Sequence, residues 1–213
     1  MEFIDSELED YALAHTTKEP DVLYALNRET NLKVLQPRML SGHLQGRVLS
    51  MLSRMVRPKR ILEIGTYTGY AAICLAEGLT DQGKLITIDI NYELEDMVRS
   101  YFKKAGIENK VEFKIGNALD ILPSLDKNFD LVFIDADKDN YSNYYDLLID
   151  DLPSNSYLIA DNVLWSGKVL LPEDEMDNDT LALKRFNEKI QSDKRVENVL
   201  MPIRDGLMII RKI

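Results

Sequence analysis

From Lys59 onward, short apolar runs alternate with longer amphipathic segments, and this alternation constrains the fold more than any other feature of the chain. Runs such as RILEIG, KLITIDI and FDLVFIDA are typical of buried strands, and the segments between them carry apolar residues at helical spacing. Repeated strand–helix units form right-handed crossovers. The pattern therefore predicts an α/β fold, in which helices cover both faces of a parallel sheet.

The two ends of the chain depart from this alternation. At the carboxyl end, the apolar runs VENVLMPI and GLMIIRKI flank a polar turn at 204–206, which predicts an antiparallel hairpin. At the amino end, residues 1–56 carry apolar positions at helical spacing and predict helices. We therefore expect one domain over residues 1–213, in which a helical cap precedes the α/β core of residues 57–213.

Composition disfavours several classes of protein. The 26 basic and 36 acidic side chains give a net charge of −10, which disfavours generic binding to nucleic acid phosphates. The single cysteine, Cys74, excludes an intramolecular disulfide. The first residues lack the apolar segment of a signal peptide, and no apolar run reaches transmembrane length. We therefore expect a cytoplasmic protein that does not enter a membrane.

A ligand site is expected at the carboxyl edge of the sheet, because open parallel sheets bind ligands beyond the carboxyl ends of their strands. The first strand leads into EIGTYTGY, where Gly65 and Gly69 lack a Cβ and let a ligand approach the backbone. The second strand ends near Asp89, whose carboxylate can accept hydrogen bonds from both hydroxyls of a ribose. A plain tight turn and a helix N-cap at Asp89 are the alternative interpretations. The glycine spacing matches neither the Gly-x-Gly-x-x-Gly fingerprint nor a P-loop.

Two later strand ends carry hard oxygen ligands. Asp135 ends the fourth apolar run, and Asp161 and Asn162 end the fifth. Neighbouring strand ends lie close together in a parallel sheet, and two carboxylates with one amide oxygen suit Mg²⁺ or a similar cation. A zinc site has no comparable ligands, because His15 and His43 are isolated. A capped turn would explain Asp161 and Asn162 alone, but Asp135 on the adjacent strand favours the metal.

Lys138, three residues after Asp135, has two interpretations. Spacing alone favours an ammonium group that is solvated at the surface. Beside a bound cation, the lysine could instead accept a proton from a bound hydroxyl group. Because Lys138 follows just past a strand end, we expect its ammonium group to lie outside the core.

Five segments strongly resemble the cation-dependent O-methyltransferases of the catechol and caffeoyl-CoA type. They are ILEIGTYTGYAA, GKLITIDIN, KAGIENKVEFKIGNAL, LVFIDADKDNYSNYY and ADNVLWSGKVL. The likeness extends over about residues 35–213 and includes the final PIRDGLMIIRKI. It implies a Rossmann-like, doubly wound sheet of seven strands, mostly parallel with an antiparallel last strand. It also implies S-adenosylmethionine (SAM) as the methyl donor, and a homodimer.

The resemblance further implies roles for individual residues. The residues that it places at the donor are Met39, Glu63, Gly65, Tyr67, Gly69, Ala71, Asp89, Ala118 and Asp135. The residues that it assigns to a divalent cation (Mg²⁺, or else Mn²⁺ or Ca²⁺) are Asp135, Asp161 and Asn162. Lys138 matches the general base of the family, and Asp135 touches both donor and cation. At Ala71 the family often has a serine, so backbone amides must hold the donor's carboxylate here.

These roles predict an enzyme that methylates one hydroxyl group of a vicinal-dihydroxy, catechol-like small molecule. A cation held by Asp135, Asp161 and Asn162 would act as a Lewis acid on the vicinal hydroxyl groups of the acceptor and would lower the pKa of one of them. Lys138 accepts that proton, and the resulting oxyanion attacks the methyl group in line. The loop after Trp165 is acidic over 173–179, which disfavours an acceptor with several phosphates, although a solvated linker is an equal interpretation.

Three alternative functions remain open. A nicotinamide-dependent oxidoreductase shares the sheet and the ribose acid, but it lacks the glycine fingerprint and gives Asp161 and Asn162 no role. A non-catalytic donor-binding or scaffold protein would need neither Lys138 nor the full set of Asp135, Asp161 and Asn162. A tRNA wobble 5-hydroxyuridine methyltransferase is disfavoured by the net charge of −10. The basic residues that keep this last alternative open are Lys33, Arg38, Arg47, Arg54, Arg57, Lys59 and Arg60, although a solvated helix face explains them better.

Overall fold

The computed structural model describes residues 5–213, apart from the side chain of residue 6. The helices that precede the sheet are α1 (Ser6–Ala14), α2 (Asp21–Lys33) and α3 (Gly42–Val56). A short 3-10 turn at Pro37–Met39 lies between α2 and α3, where proline and Gly42 predicted a loop. We call residues 34–41, which include this turn, the strap.

Within the described residues, seven strands form one sheet in the order β3-β2-β1-β4-β5-β7-β6. They are β1 (Arg60–Ile64), β2 (Lys84–Asp89), β3 (Val111–Ile115), β4 (Leu131–Ile134), β5 (Tyr157–Asp161), β6 (Val196–Met201) and β7 (Leu207–Lys212). The first five strands are parallel, whereas β7 runs antiparallel to both β5 and β6. The predicted mostly parallel, seven-stranded sheet with an antiparallel last strand is confirmed.

Helices cover both faces of the sheet, as the alternating pattern predicted. The remaining helices are α4 (Tyr70–Ala76), α5 (Glu95–Lys104), α6 (Ala118–Ile121), α7 (Tyr141–Ile149) and α8 (Asn178–Ser192). Successive strand residues point to opposite faces. In β1, Leu62 packs in the apolar cluster with α7 and α8, whereas Ile61 packs with α3 and α4. No helix within residues 5–213 is long and apolar enough to span a membrane.

The order of the strands reverses between β1 and β4, and the carboxyl ends of these two strands are very close together. Gly65 follows β1 with a φ of 100°, and a Cβ on it would lie 1.9 Å from the backbone oxygen of Asp135. Contact between two strand ends therefore requires a glycine at this position. Sequence analysis had attributed this glycine to the approach of a ligand. Sheets of this kind bind ligands in the crevice at the point of reversal.

Candidate active site

The turn after β1 and the end of β2 form one side of the crevice. Asp89 is half-buried, and its Oδ2 accepts a hydrogen bond from the backbone N–H of Tyr67 at 2.6 Å. Its Oδ1 accepts from the N–H of Asn91 at 2.8 Å. The cap of the following 3-10 turn is Asn91, which accepts from the N–H of Glu93, so the N-cap interpretation of Asp89 is wrong. The carboxylate is instead fixed beside the glycine turn.

Glu63 contributes a fully buried carboxyl group next to this turn. Its Oε2 accepts a hydrogen bond from the hydroxyl group of Thr87, whereas its Oε1 has no hydrogen-bond partner. Burial raises the pKa of Glu63 well above its ordinary value, and the charges of Asp135 and Asp89 raise it further. A buried oxygen without a partner costs free energy, so a ligand that donates a hydrogen bond to Glu63 would be stabilised.

The strap lies next to the glycine turn and is anchored from two sides. The hydroxyl group of Tyr67 donates to the backbone oxygen of Gln36 at 3.2 Å. From the other side, Arg204 in the turn between β6 and β7 donates to the backbone oxygen of Leu40 at 3.2 Å. Met39 lies between these two anchors and its side chain is exposed. The strap is therefore connected both to the glycine turn and to the carboxyl-terminal hairpin.

The three oxygen ligands predicted for a cation lie at the ends of two neighbouring strands. Asp135 follows β4, Asp161 ends β5, and Asn162 comes next along the chain. The ammonium nitrogen of Lys138 lies 3.1 Å from Oδ1 of Asp135 and 3.0 Å from Oδ1 of Asn162. A positively charged group thus bridges two of the three predicted ligands.

Lys138 is buried, so the expectation that its ammonium group lies outside the core is wrong. The side chain is 7% exposed, and its nitrogen donates to the hydroxyl group of Tyr141 at 2.6 Å. The same nitrogen lies 5.7 Å from the centre of the Trp165 ring. The cause is the 3-10 turn at Lys138–Asn140, which carries the chain into α7 and lets the side chain return to the strand ends.

Asp161 is the most buried of the three predicted ligands, at 2% exposure. Its Oδ1 accepts from the backbone N–H of Asn162 at 2.7 Å, and its Oδ2 accepts from the side-chain amide of Gln45. Burial and the charge of Asp135 raise the pKa of Asp161 to about 7, against the opposing effects of Lys138 and Gln45. The site therefore favours an additional positive charge. No cluster of three or more His, Cys, Asp or Glu side chains suited to a metal occurs in residues 5–213, so the predicted cation site would depend on the amide of Asn162.

Comparison with known proteins shows which family has this arrangement. A model of the O-methyltransferase family matches residues 13–213. A caffeoyl-CoA O-methyltransferase of Medicago sativa is 36% identical over 180 residues, which cover 79% of this chain and 73% of that protein. One from Mesembryanthemum crystallinum is 35% identical over 207 residues, which cover 92% of this chain and 81% of that protein. The chain belongs to the O-methyltransferase family.

Solved structures agree with this membership. An SAH-bound methyltransferase of Podospora anserina superimposes with a TM-score of 0.90 at 29% identity, over 98% of this chain and 94% of that one. An O-methyltransferase of Streptomyces achromogenes involved in tomaymycin synthesis, solved in complex with SAM, superimposes with a TM-score of 0.87 at 29% identity. The match covers 97% of this chain and 96% of that one. The family inferred from sequence motifs is confirmed, and so is the expectation of an enzyme of this type. Membership in this family also argues against the nicotinamide-dependent oxidoreductase.

The other predicted donor residues of this O-methyltransferase lie at the start of two helices. Ala118 is the first residue of α6, directly after the cap Asn117, and it is buried. Ala71 is buried in the first turn of α4, behind Gly69, which has a φ of 87°. A Cβ on Gly69 would lie 2.8 Å from the ring of Phe102, so packing also explains this glycine. The donor roles of these residues stay predictions.

Sequence analysis missed three residues of this site. Gln45 contacts Asp161, Tyr141 contacts Lys138, and Arg204 contacts Gln45. Two of them could have been recognised from features of the sequence. Gln45 is a polar residue on the apolar face of α3, and Tyr141 lies three positions after Lys138, a spacing that brings side chains together in a helical turn. Arg204 left no local signal, because its contacts depend on how the hairpin packs.

Proposed function

We propose that this enzyme transfers the methyl group of SAM to one hydroxyl group of a vicinal-dihydroxy, catechol-like small molecule, with one divalent cation at the acceptor. The observation that carries the proposal is that the Lys138 ammonium group lies 3.1 Å from an oxygen of Asp135 and 3.0 Å from that of Asn162, next to Asp161 at the carboxyl edge of the sheet. The proposed donor site lies beside it, at the glycine turn and Asp89.

The donor site has groups that suit the two ends of SAM. Asp89 is a carboxylate fixed at the end of β2, where it can accept hydrogen bonds from the hydroxyls of a ribose. The Oε1 atom of Glu63 is buried and has no hydrogen-bond partner. It is suited to accept a hydrogen bond from the amino group of the donor's methionine part. The two relatives solved with SAM or SAH lend support, since both superimpose over nearly the whole chain.

The residues at the strand ends fit a hard divalent cation. Asp135, Asp161 and Asn162 supply the oxygen ligands that Mg²⁺, Mn²⁺ and Ca²⁺ prefer. The raised pKa of Asp161 indicates that positive charge is favoured here, and the ammonium group of Lys138 already lies between two of the ligands. When bound, such a cation would supply Lewis acidity, which lowers the pKa of a hydroxyl group on the acceptor.

Lys138 is the proposed proton acceptor. Its nitrogen is held by Tyr141 and Asn162 in a buried position beside the proposed cation ligands. In the proposed reaction, Lys138 acts in its neutral amine form: the acceptor's O–H bond breaks and the proton passes to the lone pair of that nitrogen. The acceptor oxygen then forms a bond to the methyl carbon while the carbon–sulfur bond breaks, which leaves methylated acceptor and SAH. The main contribution of the protein is to hold the two reactants in line.

The proposed acceptor is a small molecule without a chain of phosphates. The acidic side chains after Trp165 that are exposed are Glu173, Asp174, Glu175 and Asp177. Ion pairs neutralise only part of their charge, by pairing Glu173 with Lys184 and Asp177 with Lys168. The loop begins after Trp165, whose ring lies 5.7 Å from the nitrogen of Lys138, so we infer that its negative charge repels polyphosphates at the acceptor site. Similarity to caffeoyl-CoA O-methyltransferases therefore supports methyl transfer to a hydroxyl group more strongly than it supports caffeoyl-CoA as the acceptor.

The tRNA alternative gains no support from the basic residues that suggested it. The members of that group which form ion pairs with carboxylates are Lys33, Arg47, Arg54 and Arg60. A screen of methylated products by mass spectrometry, with catechols and undermethylated tRNA as acceptors, tests the choice. Methylated catechol is the expected product. Methylated tRNA with no methylated catechol would replace the proposal by the tRNA function.

We also propose a homodimer, which the resemblance implied. The helices that precede the sheet expose large apolar side chains, as dimer-forming surfaces do. They are Leu8, Tyr11, Tyr24, Leu32, Met51 and Met55. Light scattering coupled to size exclusion should give twice the mass of the 24.5 kDa chain, and a monomer at micromolar concentration would contradict the proposal.

Calorimetry should detect binding of SAM and no binding of NAD. Asp89→Asn should weaken SAM binding by about tenfold or more, because hydrogen bonds to a charged group contribute roughly 1.5–3 kcal/mol. The matched control is Asp81→Asn, which changes an exposed aspartate between α4 and β2. Tight binding of NAD, or equal SAM affinity in both variants, would contradict the proposed donor site.

Removal of divalent cations should abolish turnover. A chelator in excess is expected to stop methylation of a catechol, and Mg²⁺ or Mn²⁺ added beyond the chelator should restore it, because the acceptor hydroxyl would lose its Lewis acid. SAM affinity, measured by calorimetry in the chelator, should change little and serves as the control. Full turnover in chelator would remove the cation from the proposed mechanism.

A further inference from the structure

A glutamine side chain is buried beside the proposed cation site. Gln45 lies in the first half of α3 and is 1% exposed. Its Nε2 donates a hydrogen bond to Oδ2 of Asp161, which is 116 positions away in sequence. Its Oε1 accepts a hydrogen bond from Nη1 of Arg204 at 3.1 Å. Both ends of the amide are therefore engaged, one by the site and one by the carboxyl-terminal hairpin.

Arg204 determines which way the amide of Gln45 points. An arginine can only donate hydrogen bonds, so the oxygen of the amide must face Arg204. The NH₂ group of Gln45 consequently faces Asp161, whose Oδ2 accepts a hydrogen bond from it. Because Oδ1 of Asp161 is engaged by the N–H of Asn162, both oxygens of this carboxylate are held, and it cannot rotate freely.

Packing alone does not require a glutamine at this position. The other large side chain buried on this face of α3 is apolar, at Leu49. An amide group that leaves water costs free energy unless it forms hydrogen bonds, so an apolar residue of the same size would pack at a lower cost. The polar atoms of Gln45 contact a predicted cation ligand and an arginine that also binds the strap.

We infer that Gln45 is a positioning residue of the cation site, and that it acts by fixing the carboxylate of Asp161 in the orientation that binds the metal. Partners that orient a metal ligand typically change metal affinity by about 10- to 100-fold when they are removed. Arg204 in turn holds Gln45, by donating a hydrogen bond to its Oε1. This inference rests on the proposed cation dependence.

Gln45→Met tests the inference, because methionine is similar in length and forms no strong hydrogen bond. We expect the dissociation constant for Mn²⁺, measured from the free-ion EPR signal, to rise about 10- to 100-fold. The concentration of Mn²⁺ for half-maximal turnover should rise equally. At saturating Mn²⁺, kcat should recover to within a few-fold of wild type, because Gln45 does not touch the reactants. SAM affinity should change less than about twofold.

Ser53→Ala is the matched control on the same helix. Its buried hydroxyl donates to the backbone oxygen of Leu75 at 2.6 Å, on the side of α3 that packs against α4. This variant should lower the unfolding temperature and leave the affinity for Mn²⁺ unchanged. If Gln45 had only a structural role, Gln45→Met would likewise lower the unfolding temperature and leave the affinity for Mn²⁺ unchanged.

Different results would contradict the role of Gln45 and the cation dependence on which it rests. Wild-type affinity for Mn²⁺ in folded Gln45→Met would overturn the role of Gln45 and leave the cation site intact. If Gln45→Met unfolds, Gln45→Asn is measured in its place. Asparagine keeps the amide but is one methylene shorter and cannot reach Asp161 and Arg204 together, so wild-type affinity in that variant would overturn the role equally. Absence of Mn²⁺ binding in the wild type would overturn the cation dependence itself, and the inference with it.

Discussion

Lys138→Met is expected to lower kcat about 10²-fold or more while SAM affinity stays close to wild type. Removal of a general base typically costs this much. Methionine has a similar length and removes the nitrogen that lies among Asp135, Asn162 and Tyr141. Residual activity should rise with pH, because hydroxide can take the proton when the lysine is absent. A control variant, Lys127→Met, removes a lysine that pairs with Asp151 away from the site, and it should keep full activity.

The burial of Lys138 adds a consequence for stability. In protein free of divalent cations, the ammonium group is the nearest positive charge to Asp135, and it lowers the pKa of Asp161. Lys138→Met should therefore lower the unfolding temperature in chelator at pH 8. Saturating Mn²⁺ should remove most of the difference, because the cation replaces the lost charge. Wild-type kcat at neutral pH in a folded Lys138→Met variant would contradict the role as a base.

Asp161→Asn is expected to abolish Mn²⁺ binding and turnover, and to leave the cation-free protein at least as stable as wild type at pH 8. The variant keeps the shape of the side chain and one acceptor oxygen, but it loses the buried charge. Burial and the charge of Asp135 raise the pKa of Asp161 in the folded state to about 7, above its ordinary value of 3.8. Between pH 3.8 and about pH 7, the folded protein therefore keeps a proton on Asp161 that the unfolded chain has released.

The sign of the pH dependence follows from this difference. A folded state that binds more protons than the unfolded state loses stability as pH rises. The contribution of Asp161 to the free energy of unfolding should therefore fall between about pH 4 and about pH 7. Urea unfolding in chelator across pH 4–8 should show this fall in wild type, and it should be smaller in Asp161→Asn.

Asp193→Asn provides a control of opposite sign. Hydrogen bonds from Arg195 lower the pKa of Asp193, so its charge stabilises the fold at neutral pH. This variant should be less stable than wild type at pH 7, and the difference should shrink toward acid pH. If Asp161→Asn instead lost stability at pH 8 as Asp193→Asn does, the account of Asp161 as a destabilising buried charge would be wrong.

The sequence by itself determined the architecture and the place of the site. Strand and helix periodicity depends on neighbouring residues, so RILEIG, KLITIDI and the final hairpin could be assigned locally. The parallel order then placed the polar residues after each strand at one edge of the sheet. For that reason Asp135, Asp161 and Asn162 could be grouped before any distance was known.

The tertiary structure decided how the side chains at that edge are used. Lys138 is buried because the turn after β4 directs it back toward Asn162, 24 positions further along the chain. Gln45 contacts Asp161 only because α3 packs across the ends of the strands. Gly65 is required by the backbone of Asp135, which no local pattern indicates. Burial and hydrogen bonding between distant segments depend on how the layers pack, and periodicity carries no information about that packing.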